Sequence, residues 1–183
     1  MAQVAHPFII DVEASGFGPH GYPIEVGLAL EPGKRFSTLV RPQPQWTYWD
    51  EQAESCHKIP RSILDLEGKP LTSVADTLNT LLAGKTVYTD GWVVDKPWIV
   101  QLFEAARRAM NFSISALEMI LSEPQMLIWH QTKSQVQVEL DQVRHRASHD
   151  ARIIQETYLR TLDLTGSKVP GRRRPTIVPT TSH

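Results

Sequence analysis

Phe8-Ile9-Ile10-Asp11-Val12-Glu13-Ala14-Ser15-Gly16-Phe17-Gly18 is the stretch that decides the fold. Three apolar residues lead into two carboxylates, and a glycine-containing turn ends the run. Side chains alternate across a strand, so Asp11 and Glu13 share one face and Ile10 and Val12 the other. The apolar lead-in predicts a strand in the middle of a sheet. Two carboxylates on one face of such a strand are unfavourable unless a cation neutralises them or the pair is solvated at a sheet edge. A hard divalent cation prefers such oxygen ligands, and the turn at Gly16 leaves room for a ligand to approach.

Outward from this strand, Ile24-Glu25-Val26-Gly27-Leu28-Ala29-Leu30 alternates as a second strand, and Pro32-Gly33 turns the chain into a third over Arg35 to Arg41. Three strands joined by short turns predict an antiparallel meander. Pro42 to Pro60 is expected to be irregular. Val74, Leu78, Leu81 and Leu82 fall at helical spacing, with Gly84 closing that helix. Lys85 to Thr89 predicts a short strand ending at Asp90-Gly91. Ile99, Leu102, Phe103, Ala106 and Met110 mark an amphipathic helix with Pro97 in its first turn. Shorter helices are expected over Ser113 to Leu121 and Gln135 to Val143, and a long one over Ala147 to Leu162. Strands first, then helices alternating with strands, make a mixed-sheet α/β domain spanning 1–165. Residues 166–183 carry too little apolar content to fold alone and predict a flexible tail holding Arg172-Arg173-Arg174.

The chain has 183 residues, 41% hydrophobic and 21% charged, with a formal net charge of −1. That size suits one domain with a sizeable core. The charge argues against a broad basic surface gripping long nucleic acid, but leaves room for bound cations to supply positive charge locally. The single cysteine, Cys56, excludes an internal disulfide and a multi-cysteine zinc site. No apolar run reaches membrane-spanning length and no leader pattern precedes the first strand, so a cytoplasmic location is expected.

Further acids stand out. Asp95, two residues before Pro97, fits an N-cap, yet it shares a stripe with Ile99, Leu102 and Ala106 and leans towards the apolar side. Asp90 beside Gly91 competes with it, though Asp-Gly is also an ordinary turn pair. Asp150 lies on the apolar face made by Ala147, Ala151, Ile154 and Tyr158. There it is either salt-bridged, to Arg107, Arg144 or Arg146, or a metal ligand. His145 precedes that helix, and its ordinary pKa suits it to take a proton from water near neutral pH.

In order and spacing, these segments resemble the DnaQ-like (DEDDh) 3′–5′ exonucleases, a branch of the ribonuclease H-like superfamily. The likeness is carried by Ile9-Ile10-Asp11-Val12-Glu13-Ala14-Ser15-Gly16, by Val87-Tyr88-Thr89-Asp90-Gly91 through Asp95 to Trp98, and by His145-Arg146-Ala147-Ser148-His149-Asp150-Ala151. Ala53 to Ile59 is similar to the family's linker after its third strand. The resemblance implies a ribonuclease H-like mixed sheet, a three-stranded antiparallel meander plus parallel strands, flanked by helices. It implies that Asp11, Glu13, Asp95 and Asp150 hold two Mg²⁺ or Mn²⁺ ions, and that His145, rather than His149, deprotonates the attacking water. It further implies that Ala14, Ser15, Gly16 and Phe17 lie along the terminal nucleotide, Phe17 either stacking on the base or simply packing. The product would be a nucleoside 5′-monophosphate from the 3′ end of a short or single-stranded nucleic acid, DNA or RNA. A homodimer is an analogy with relatives of this fold. Ala14, Thr89-Asp90 and Val94 depart from the family's usual Thr, His-Asn and Phe. These positions flank the ligands and bear on substrate grip. Two other functions fit the pattern: a non-catalytic nucleic-acid or protein interaction module that keeps the fold, and the same chemistry on a small phosphodiester.

Overall fold

A computed structural model describes residues 6–140 and 146–166. Its sheet runs through β1 (Phe8–Ala14), β2 (Pro23–Ala29), β3 (Arg35–Leu39), β4 (Thr86–Thr89) and β5 (Ser113–Ala116), in the spatial order β3-β2-β1-β4-β5. β1 pairs antiparallel with β2 and β2 with β3, the expected meander, while β4 and β5 add on in parallel. β1 is therefore the central strand. The described residues also hold six helices, α1 (Glu51–His57), α2 (Arg61–Glu67), α3 (Leu71–Leu82), α4 (Trp92–Ala106), α5 (Glu123–Leu140) and α6 (Ala147–Leu164).

The alternation of β1 divides the core. Ile10 and Val12 pack with Val74, Leu78 and Leu82 of α3 and with Ile99, Leu102 and Phe103 of α4. Ile9 faces the other way, into a layer with Trp129 of α5 and Ala151, Ile154 and Tyr158 of α6. Asp11 and Glu13 share the Ile9 side and so lie beneath α6. Fully burying aliphatic side chains of this size contributes roughly 1.5–3 kcal/mol each, so the two layers fix the strand between the helices.

Four expectations are corrected. Ser113 to Leu121 begins as β5, paired with β4 from Thr86↔Ser113 to Thr89↔Ala116, and passes into a 3₁₀ turn at Leu117–Met119. Ile114, Leu117 and Leu121 mimic helical spacing, but the unpaired edge of β4 claims the segment. Within 42–60, α1 forms despite burying only His57, capped where Asp50 accepts a hydrogen bond from the Gln52 N–H. α5 starts at Glu123, twelve residues before the expected Gln135, and the expected end at Val143 lies outside the described residues. α4 starts at Trp92 with Gly91 as its N-cap residue, so Asp95 is in its first turn and is not the cap. Pro97 sits inside α4 and lacks the N–H that Val93's carbonyl would accept; Val93 is 82% exposed, so water can take that bond. No helix among the described residues is long and apolar enough to cross a membrane. The tail from 167 onward lies outside the described residues.

Candidate metal-dependent site

Three elements deliver the acids. β1 supplies Asp11 and Glu13, and α4 and α6, entering from opposite faces of the sheet, supply Asp95 and Asp150 from their first turns. β1 and β4 run parallel, so the site forms beyond their carboxyl ends, where open α/β sheets commonly bind ligands. Asp11, Glu13 and Asp150 each place a carboxylate oxygen within 4.8 Å of the others. All three, with Asp95, line one cavity of about 430 Å³.

Asp95 is 3% exposed and held by Thr89. The Thr89 hydroxyl at the end of β4 donates to Asp95 Oδ2, and Thr89 Oγ1 accepts the Gly91 N–H at 2.8 Å. A Cβ at residue 91 would lie 2.7 Å from Asp95 Oδ2, so glycine there leaves space for the carboxylate. Asp90 is held away by an ion pair with Lys133 of α5 at 2.5 Å. Arg146, one of the partners considered for Asp150, is instead bonded to Glu25 of β2.

The clustering strains the ionised state. Burial, followed by the charges of Asp95, Glu13, Asp150 and Asp90, holds the Asp11 carboxyl well above the usual carboxylate range. Glu13 is pushed up to about 8 by burial first and then by Asp150, Glu25 and Asp95, with Arg146 pulling the other way. Asp95 is raised to about 7, again mainly by burial, against the Thr89 hydrogen bond. A cation would relieve all of this, and a set of carboxylate oxygens without sulfur or imidazole suits a hard ion such as Mg²⁺ or Mn²⁺. The donor set thus fits a divalent metal.

The remaining expected residues are distributed unevenly. Ala14, Gly16 and Phe17 line the cavity, whereas Ser15 is turned inward, its Oγ accepting the Tyr22 N–H at 3.2 Å. Phe17 is 72% exposed, with its ring 6.1 Å from that of Trp98 on the cavity wall. His149 lies in the first turn of α6 and does not line the cavity. His145 falls outside the described residues. Thr89, Glu25 and Trp98 went unmarked as site residues. A carboxylate within the apolar run Ile24 to Leu30 was a signal for Glu25, and Thr89 stood out only as a departure from the family pattern beside the ligands.

The fold is ribonuclease H-like. Solved structures similar to it include Escherichia coli exonuclease I in complex with a dA16 oligonucleotide, at TM-score 0.63 and 10% identity over 88% of this chain and 41% of that one. The zinc-bound form of the same enzyme with single-stranded DNA matches at TM-score 0.63 and 10% identity, over 90% and 41%. Exonuclease I from Methylocaldum szegediense matches at TM-score 0.58 and 10% identity, over 92% and 42%. The chain spans about two fifths of the length of these enzymes. Neither a family model nor a curated protein sequence matches it.

Proposed function

We propose that this chain is a metal-dependent 3′–5′ exonuclease that releases nucleoside 5′-monophosphates from the 3′ end of a short or single-stranded nucleic acid. The observation that carries the reading is the meeting of Asp11, Glu13 and Asp150 within 4.8 Å, in one cavity with the buried Asp95. Asp11, Glu13 and Asp95 so placed disfavour their own charge, and cation-assisted phosphodiester cleavage is a chemistry that uses such a cluster. The likeness to exonuclease I crystallised with oligonucleotides adds the substrate class.

Asp11, Glu13, Asp95 and Asp150 would hold two Mg²⁺ or Mn²⁺ ions, which when bound supply Lewis acidity and neutralise charge on the phosphodiester. The chain's own residues do the rest. Thr89 and Gly91 keep the Asp95 carboxylate in place. Phe17, beside Trp98 at the cavity mouth, offers a face on which the terminal base stacks, worth about 1–3 kcal/mol. His145, by the resemblance, takes the proton of the attacking water. The domain is taken as 1–165, with 166–183 as a tail.

The test is turnover of 3′-labelled single-stranded DNA, single-stranded RNA and dinucleotides, with and without Mn²⁺. Mononucleotide release that requires metal and is lost in Asp11→Ala and His145→Ala is the expected result. Metal-independent turnover, or full activity in both variants, defeats the assignment. Absence of hydrolysis on every substrate would favour an interaction module.

A further inference from the structure

Glu25 is a second buried carboxylate that the chemistry above leaves unused. It sits in the middle of β2, directly opposite Glu13 in the antiparallel register. Its side chain is 2% exposed, yet it is fully engaged. Arg146 Nη2 donates to Oε1 at 2.7 Å and Nε to Oε2 at 3.0 Å, a two-pronged arrangement, and the Ala147 N–H adds a bond to Oε2 at 3.1 Å. Arg146 is the N-cap residue of α6 and has no side-chain cap of its own, so Glu25 provides from another strand the anchor this helix end lacks. Two residues along β2, a Cβ on Gly27 would lie 2.0 Å from Ser148 N, so the backbones of β2 and the first turn of α6 are in direct contact. Asp150 projects from that same turn.

We propose that Glu25 and Arg146 are positioning residues of the metal site: their bidentate pair pins the start of α6 to β2, and this sets Asp150 against Asp11 and Glu13. The proposal rests on the carboxylate cluster being a metal site, as the proposed function requires. Arginine is needed because its planar fork matches a carboxylate in two bonds, which a lysine ammonium does not reproduce. Residues that orient ligands in this way typically change metal affinity or activity 10–100-fold when altered.

The experiment is calorimetric titration of the full chain with Mn²⁺ alone, in wild type, Arg146→Lys, Arg146→Ala and Glu25→Gln, with circular dichroism of each metal-free protein. Arg146→Lys keeps the cation and most of the stem, and the Arg146 side chain is 42% exposed in the wild type, so a folded variant is expected. Mn²⁺ affinity should fall about 10–100-fold in Arg146→Lys and in Glu25→Gln while their spectra match wild type. Non-denaturing guanidinium added to Arg146→Ala should leave affinity low, because a free cation neutralises Glu25 without holding the chain. Wild-type affinity in Arg146→Lys and Glu25→Gln, or rescue by guanidinium, overturns the proposal. The titration contains no nucleic acid, so the two readings fail separately. A wild type that binds Mn²⁺ and hydrolyses nothing defeats the exonuclease but not the tether, and a wild type that binds no Mn²⁺ defeats both.

Discussion

Replacing Glu13 by Gln should make the metal-free protein more stable in alkaline solution, although it removes a proposed ligand. The folded-state carboxyl is pushed up to about 8 from an ordinary 4.5, chiefly by burial and then by Asp150, Glu25 and Asp95. A raised carboxyl binds its proton more tightly when folded. Its stabilising contribution is therefore complete below pH 4.5 and is lost as pH rises towards 8. The difference, 8 − 4.5 = 3.5 pKa units, corresponds to about 5 kcal/mol at about 1.4 kcal/mol per unit. Water entering the open cleft and relaxation of neighbouring acids reduce this, so about 2–3 kcal/mol is the expected gap between variant and wild type at pH 8.5. For a chain of this length that is roughly 5–10 °C in melting temperature. The assay is thermal melting in chelator from pH 5 to 9, with the difference between the two proteins plotted against pH. The curves should coincide near pH 5 and diverge steadily above it. Parallel curves across the whole range would refute the electrostatic argument. Adding Mn²⁺ at pH 8.5 should stabilise wild type more than the variant and close much of the gap.

Three other outcomes follow from the same geometry. Thr89→Val leaves Asp95 and the Gly91 N–H without their shared hydroxyl; stability should fall by about 1–3 kcal/mol in urea melts and metal-dependent turnover by 10-fold or more, and an unaffected variant would show that the hydroxyl does not hold Asp95. Phe17→Ala removes a largely exposed ring, so its melting should stay within about 0.5 kcal/mol of wild type while KM for an oligonucleotide rises about 5- to 160-fold, the range set by one lost stacking contact; an unchanged KM leaves Phe17 outside the substrate path. Asp150→Asn should abolish the Mn²⁺-dependent rise in melting temperature while the metal-free protein stays folded, and a rise equal to wild type would place the ion elsewhere.

The central strand, the meander and the apolar faces of α3 and α6 were legible because each rests on local periodicity: alternation through Ile9 to Glu13, and helical spacing at Ala147, Ala151, Ile154 and Tyr158. The meeting of Asp11, Glu13 and Asp150 was expected from the family resemblance; the periodicity of α6 alone left Asp150 either salt-bridged or a ligand. What escaped is non-local. β5 is a strand because β4 offers it parallel hydrogen bonds, which no short window contains. α1 is held by the Asp50 cap and by Trp49 Nε1 donating to Glu54 Oε2 at 2.6 Å, not by an apolar stripe. The start of α4 was misplaced because Pro97 usually marks a first turn, whereas this helix tolerates it on an exposed face. The bond between Glu25 and Arg146 joins residues 121 positions apart, and only the folded chain brings them together.

That the acids come from β1, α4 and α6 also bears on how the protein acquires its site. Residues 11, 95 and 150 span most of the sequence, so no early fragment of the nascent chain holds the cluster, and cation capture must await the docking of α6 on the sheet. Divalent-ion binding during refolding would then report this last assembly step.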